Sequence, residues 1–227
     1  MPQWDREIVL ATQSAFRNKG NATTAAGAAR YMKHIAPFIG IQTPERRKLT
    51  KKAWETFRPP TSDELGDAAI QLFALPEREY HFAAYDLISK WINQTDEYFL
   101  TQYVEPLLTT KSWWDTVDGL VNAAVSPLCF RYDARAIINA WSSSENRWLV
   151  RAAIGHQRGW KNDTQVEFIF SVCSKHWSDQ EFFVAKAIGW ALRDIARVKP
   201  SDVKRFLRNH PDSNPVAVRE ARRGLVE

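Results

Sequence analysis

Only two cysteines occur in the 227 residues, Cys129 and Cys173, and neither has a CxxC or Cys/His partner spacing. A disulfide framework and a zinc site are therefore not expected, and a reducing cytoplasm is the expected compartment. Glycine is scarce as well, at nine residues, and no GxxxxGKS/T or GxGxxG loop cradles a nucleotide phosphate. The five histidines (34, 81, 156, 176 and 210) show no metal-ligand spacing and no adjacent nucleophile. His34 and His156 read most simply as surface or capping residues. No apolar run approaches the roughly 20 residues needed to span a bilayer. The opening MPQWDREIVLATQS is charged at once and lacks an apolar h-region, so it does not read as a secretory signal. Sustained two-residue alternation and Asn-Gly or Asp-Gly hairpin signals are also missing, which removes the usual evidence for strands.

What is present points to helices. Hydrophobic residues make up 44% and charged residues 25%, the balance of an ordinary folded chain. Four segments, Thr61-Ser-Asp-Glu64, Ser112-Trp-Trp-Asp115, Ser142-Ser-Ser-Glu145 and Ser178-Asp-Gln-Glu181, have the Ser/Thr-x-x-Asp/Glu form of a capping box. Thr43-Pro44 and Leu75-Pro76 place proline where a first helical turn tolerates it. Apolar residues recur at three and four, as in Ala84, Leu87, Ile88 and Trp91, and again in Ala187, Trp190, Ala191 and Ile195. The predicted class is all-α.

A longer period lies above the helical one. Tyr80, Trp114, Trp148 and Phe183 each lead an aromatic into a helix, at separations of 34, 34 and 35 residues. That is the length of a helix–turn–helix unit, which cannot bury its apolar face alone and stacks into a solenoid. No Gly/Ser/Pro-rich linker divides the chain, so residues 1–227 are expected to form one domain. Stacking would set equivalent helices side by side along one wall.

Ten tryptophans exceed the needs of a core this size. Trp54, Trp91, Trp141 and Trp177 are expected to be structural. Trp114 differs because Asp118, four residues on, shares its helix face. A carboxylate beside an aromatic face suits a cationic partner, although a surface aspartate paired with an arginine is the plainer reading. One unit later, Arg151 lies three residues after Trp148 among apolar neighbours and needs a carboxylate or phosphate. Trp190 and Arg193 repeat the pairing of an aromatic with a base. The net charge is +5, and between Arg193 and Arg223 nine Lys/Arg stand against four acids. Such a surplus can follow a phosphate backbone or simply form a solvated face.

The motifs RYMKHIAPFIGIQTPERR (30–47), LPEREY (75–80), TKSWWDTVD (110–118), RWLVRAAI (147–154) and KAIGWALRD (186–194) together resemble the AlkD-type DNA alkylation-repair glycosylases. The resemblance spans nearly the whole chain apart from its first and last twenty-odd residues. It implies a HEAT-like solenoid whose concave basic face holds duplex DNA. It further implies a monofunctional glycosylase, a monomer without metal or cofactor, that excises cationic N3- and N7-alkylated purines such as 3-methyladenine and 7-methylguanine. In a bacterial cell it would be cytoplasmic and would meet its substrate at the nucleoid. Trp114, Asp118 and Trp190 would line the catalytic cleft, with Arg151 holding the nearby backbone. Tyr31, Gln42, Arg47 and Arg193 fall at positions that contact DNA in that family. The family pattern has a lysine where this chain has Gly159, and Arg158 and Lys161 are the candidates to replace it. The family is thought to act on a lesion still stacked in the duplex, and the glycine-rich hairpin of helix-hairpin-helix glycosylases is absent here. Two other readings compete: a non-catalytic HEAT-repeat protein binding distorted or branched DNA, and a protein-interaction scaffold.

Overall fold

A computed structural model describes residues 3–212 and 214–225, and among them every regular element is a helix or helical turn. They gather into two compact units, one through Ala124 and one from Val125 onward. In the first unit the chain forms α1 (Trp4–Phe16), α2 (Ala22–Tyr31), α3 (Thr43–Ala53), α4 (Ser62–Ala74) and α5 (Arg78–Trp91), then, after a π-helical turn at Leu100–Val104, α6 (Glu105–Thr109) and α7 (Trp114–Leu120). In the second it forms α8 (Ser126–Arg131), α9 (Arg135–Ser142), α10 (Arg147–Ile154), α11 (Val166–Lys175), α12 (Phe182–Ala196), α13 (Pro200–Asn209) and α14 (Pro215–Arg223).

Local chemistry explains where the helices start, and corrects three of the four expected caps. Thr61 does close a capping box, accepting from the Glu64 N–H while the Glu64 carboxylate accepts from the Thr61 N–H. Ser112 instead donates to the Leu108 carbonyl, ending the preceding helix, and α7 begins two residues later. Ser142 is the last residue of α9, and Asn146 caps α10 by accepting from the Trp148 N–H. Ser178 lies before the cap of α12, a position taken by Glu181. In each case a competing acceptor or a better-placed Asx or Glu side chain overrides the Ser-x-x-acid spacing. Pro44 sits in the first turn of α3 as expected. Pro76 does not enter α5; it separates α4 from it, with Glu77 at the cap.

Burial follows the helical period. On α5 the stripe Ala84, Leu87, Ile88 and Trp91 is buried as predicted, and Trp54, Trp141 and Trp177 are core residues too. On α12 the buried stripe is Val184, Ala187, Ile188, Leu192 and Ile195, so Trp190 and Ala191 are only half-buried. The indole at 190 thus lies beside the core stripe rather than in it. His156 is a core residue and not a surface one: burial pushes it down to about 4, and its Nδ1 faces the Ala153 carbonyl at 2.6 Å.

The helical repeat is written in the hydrogen bonds. In the second unit Trp160 reaches Ser126 at a sequence separation of 34, Lys175 reaches Ser142 at 33, Arg147 reaches Glu181 at 34 and Trp177 reaches the His210 carbonyl at 33. In the first unit the corresponding bonds are longer in sequence: Arg78 to Asp115 at 37, Lys111 to the Ala74 carbonyl at 37 and Tyr103 to Asp63 at 40. Helices one period apart pack as neighbours, α5 on α7 and α10 on α12. Rings meet at the period as well, Trp148 and Phe183 lying 5.2 Å apart between centroids. Such recurrence is what stacked helix pairs produce.

Candidate functional site

In the first unit the site is built on α7, whose start is fixed by a buried arginine. Arg78, fully buried on α5, gives Nε and Nη2 to the two oxygens of Asp115 at 3.0 and 2.5 Å. Its Nη1 donates to the Lys111 carbonyl at 2.7 Å, and Nη2 also reaches the Thr116 hydroxyl at 3.0 Å. A bidentate guanidinium–carboxylate pair fixes orientation as well as distance. Lys111 adds a second anchor, its ammonium donating to the Phe73, Ala74 and Leu75 carbonyls at the C-terminal end of α4. Tyr85 packs its ring against the backbone at Gly119, where a Cβ would stand 2.4 Å from a ring carbon. The bare glycine allows α5 and α7 to approach this closely.

That frame presents Trp114 and Asp118, both half-buried, one turn apart on α7. Asp118 lines a cleft of about 310 Å³ together with Arg47, Asp86, Asp115 and Asn122. Asp86 is engaged by the buried Arg46, and Arg47 stands 3.6 Å from its other oxygen. Asp86 and Asp115 are thus each held by a buried arginine, Arg46 and Arg78. Tyr31, at the end of α2 and 71% exposed, meets Trp114 edge-on at 6.2 Å. Gln42 is exposed at the cap of α3, and its side chain caps nothing. The loop before it is fastened by Glu79, whose carboxylate accepts from the Ile39, Gly40 and Ile41 N–H groups at 2.9, 2.7 and 3.1 Å.

In the second unit the candidates centre on Trp190. The Arg151 guanidinium lies 5.2 Å from the ring centroid, Arg158 lies at 5.2 Å and the Lys186 ammonium at 5.7 Å. Arg151 is 3% exposed and donates to the Phe183 carbonyl at 2.5 Å, so a backbone oxygen and a π face are among its partners. Arg193 points elsewhere: its Nη1 is 3.4 Å from Glu220 on α14, which also meets Lys186 and Arg223. Lys161 is exposed with a φ of 54°, and Gly159 beside it has a φ of 85° with nothing within 4 Å of a built Cβ.

The structure thus joins Tyr31 to Trp114, sets Arg47 and Asp118 in one cleft, and joins Arg151 and Arg158 to Trp190. Arg46, Arg78, Glu79, Tyr85, Gly119, Lys186 and Glu220 were not legible as positioning residues. The available signal was an Arg or Glu embedded in an apolar helical stretch, as in LPEREY, which implies a buried partner. Cys129 and Cys173 form no disulfide, and burial pushes both thiols up to about 12, so neither is an available nucleophile at neutral pH. Among the described residues no group of three His, Cys, Asp or Glu side chains is placed to hold a metal. Nor is any described helix long and apolar enough to cross a membrane.

These features define an all-helical repeat protein with an acid–aromatic cleft in one unit and a cation-ringed indole in the other. Residues 12–225 match the model of the DNA alkylation repair enzyme family, and the chain belongs to that family. A solved structure described as a predicted DNA alkylation repair enzyme from Enterococcus faecalis is similar at 28% identity and a TM-score of 0.77, over 89% of this chain and 94% of that one. Among curated proteins, none matches. Family membership places the protein in the repair of alkylated DNA.

Proposed function

We propose that the protein is a DNA glycosylase that hydrolyses the N-glycosidic bond of cationic N3- and N7-alkylated purines, such as 3-methyladenine and 7-methylguanine, in duplex DNA. Alkylation at N3 or N7 gives the purine a positive charge, so it leaves as a neutral base and needs no general acid. The difficulty passes to the deoxyribose, which gains oxocarbenium character as the bond breaks. A fixed carboxylate can stabilise that charge and orient the attacking water. Asp118 takes this role. Trp114 offers a π face that favours a cationic sugar, and Trp190, whose ring already carries three cations, is assigned to packing against the DNA. Arg151 is assigned to the phosphate backbone, with Tyr31, Gln42, Arg47, Arg158, Lys161 and Arg193 as further DNA contacts. The chemistry calls for no metal or redox partner, because the leaving group is already activated.

One observation carries the reading: Asp118 follows a half-exposed tryptophan by one turn on α7 and lines a cleft that it shares with Arg47. The test is release of free base from N-methylated duplex DNA, with the product identified. Wild-type protein is expected to release 7-methylguanine, and Asp118→Asn to slow release by about 10²-fold or more, as removal of one transition-state stabiliser does. Equal rates would remove Asp118 from the mechanism. Binding by the wild type without any base release would sink the glycosylase reading and leave a DNA-binding protein.

A further inference from the structure

Within the second unit a cleft of about 370 Å³ opens beside α8, α9 and the turn after α10. Its walls are aromatic. Phe130, 60% exposed, stands edge-on to Trp160 at 5.1 Å and 84°. The Trp160 ring is locked in place, since its Nε1 donates to the Ser126 hydroxyl at 2.9 Å, and the Ser126 hydroxyl in turn donates to the Arg158 carbonyl. Phe168 closes another side, with the His156 ring edge-on to it at 5.1 Å.

The floor is polar and ordered by a short chain of hydrogen bonds. His156 Nδ1 donates to the Ala153 carbonyl, which leaves Nε2 to accept from the Gln157 amide at 3.0 Å. The Gln157 oxygen accepts from the Gln165 N–H at 2.7 Å. Gln157 is 4% exposed, and its amide nitrogen carries two hydrogens, of which His156 can take one. At the rim stand the exposed Arg131 and Arg135, the latter 5.8 Å over the Phe168 ring. Asp133 is the one acid of the lining, and its carboxylate accepts from the Arg135 N–H.

A locked indole with an exposed phenyl ring beside it, a buried amide donor and two rim guanidiniums match a planar base carrying a phosphate. Rings of this kind stack on any base, amides read base edges, and arginines take phosphate oxygens. The volume lies at the small end of ligand sites, which suits one nucleotide unit and not a longer segment. We propose that this cleft binds a single nucleotide unit, base plus monophosphate, between Phe130, Trp160 and the arginines 131 and 135. The proposal does not depend on glycosylase activity, and it is read by binding alone.

The test is calorimetric titration of the full chain with dGMP, with a short single-stranded deoxyguanosine oligomer as a second arm. Deoxyguanosine and inorganic phosphate are the partial ligands. Binding of dGMP or of the oligomer is expected, weakened about tenfold by Phe130→Ala and again by Arg131→Ala, as removal of one stacking or charged partner implies. The arm that binds identifies the source, free nucleotide or strand. Each partial ligand is expected to bind at least about tenfold more weakly than dGMP. Phe130 is mostly exposed, so its truncation leaves the core intact, and an unchanged melting curve checks this. Absence of binding in both arms at about 10 mM ligand, affinity indifferent to Phe130→Ala, or phosphate binding as tightly as dGMP would each overturn the proposal.

Discussion

The two units carry their charge in opposite ways. Residues 1–124 hold 14 Lys/Arg and 15 Asp/Glu, a net charge of −1, whereas residues 125–227 hold 17 and 11, a net charge of +6. In the first unit buried guanidiniums are matched to carboxylates, Arg46 to Asp86 and Arg78 to Asp115, and Glu79 is satisfied by three backbone N–H groups. In the second, three cations crowd one indole at 190, and one buried carboxylate, Glu220, serves three bases. The first arrangement is suited to holding an acidic side chain rigidly, the second to a positive potential that a polyanion would lower. On the proposed function, the chemistry would belong to the neutral unit and the charge attraction to the basic one.

The sharpest way to break this contrast is to remove a buried cation from the first unit. Arg78→Ala leaves Asp115 and the Lys111 carbonyl without their partner, and breaking a buried pair costs about 3–5 kcal/mol. Urea denaturation is expected to show a loss of that size, together with loss of activity because α7 is no longer seated. A loss under about 1 kcal/mol, typical of exposed pairs, would mean that the first unit is not organised by its ion pairs.

Acid should affect both units alike, which sharpens the contrast by showing what they share. His81 in the first unit and His156 in the second are both pushed down to about 4, chiefly by burial. The unfolded chain takes up these protons near pH 6.5, and the folded one does so only near 4, so stability falls as pH drops through that window. Each histidine contributes at most about 3 kcal/mol by this linkage. Stability measured at pH 7.5 and 4.5 should differ by several kcal/mol, and replacing either imidazole with a neutral ring should flatten part of the slope. A flat profile between these pH values would contradict the neutral, buried state of both rings.

Salt dependence tests the basic unit directly. Removing a cation from one phosphate lowers the slope of log affinity against log salt by about 0.9 on duplex DNA. Arg158→Gln should therefore flatten the slope by about one unit and weaken binding a few-fold at moderate salt, leaving the rate of base release at saturating DNA unchanged. An unchanged slope would remove Arg158 from the interface.

Much of the fold was legible in the sequence because period alone decides it. The all-helical class, the α5 stripe and the 34-residue repeat all follow from where apolar and aromatic residues recur. Caps were less legible, since Ser112 and Ser142 donate to rival backbone acceptors and the Glu181 side chain takes the cap expected of Ser178. Of the candidate site, the half-buried state of Trp114, Asp118 and Trp190 was hidden in the α12 stripe and in the polar α7 stretch. The partners that fix them were out of reach, because Arg78 and Asp115 meet across 37 residues and nothing local announces the pairing. The longer spacing of first-unit contacts was likewise invisible, as the aromatic markers keep a nearly constant interval throughout.

The smallest effect tests whether the basic unit is as basic as it could be. Gly159 has a φ of 85°, a conformation that L side chains adopt only at a cost of about 1–2 kcal/mol. Space is no obstacle there, because a Cβ would meet nothing within 4 Å. Gly159→Lys should therefore lower stability by about 1 kcal/mol through backbone strain, without disturbing packing. If the turn at 158–161 faces a phosphate, the new ammonium adds about 0.9 to the salt slope and tightens binding at low salt. If Arg158 or Lys161 already neutralises that phosphate, the slope stays where it is, because a second cation has no further counterion to release. The two outcomes separate a vacant contact from one already filled, and a stability loss well above 2 kcal/mol would show that the turn cannot accept a side chain at all.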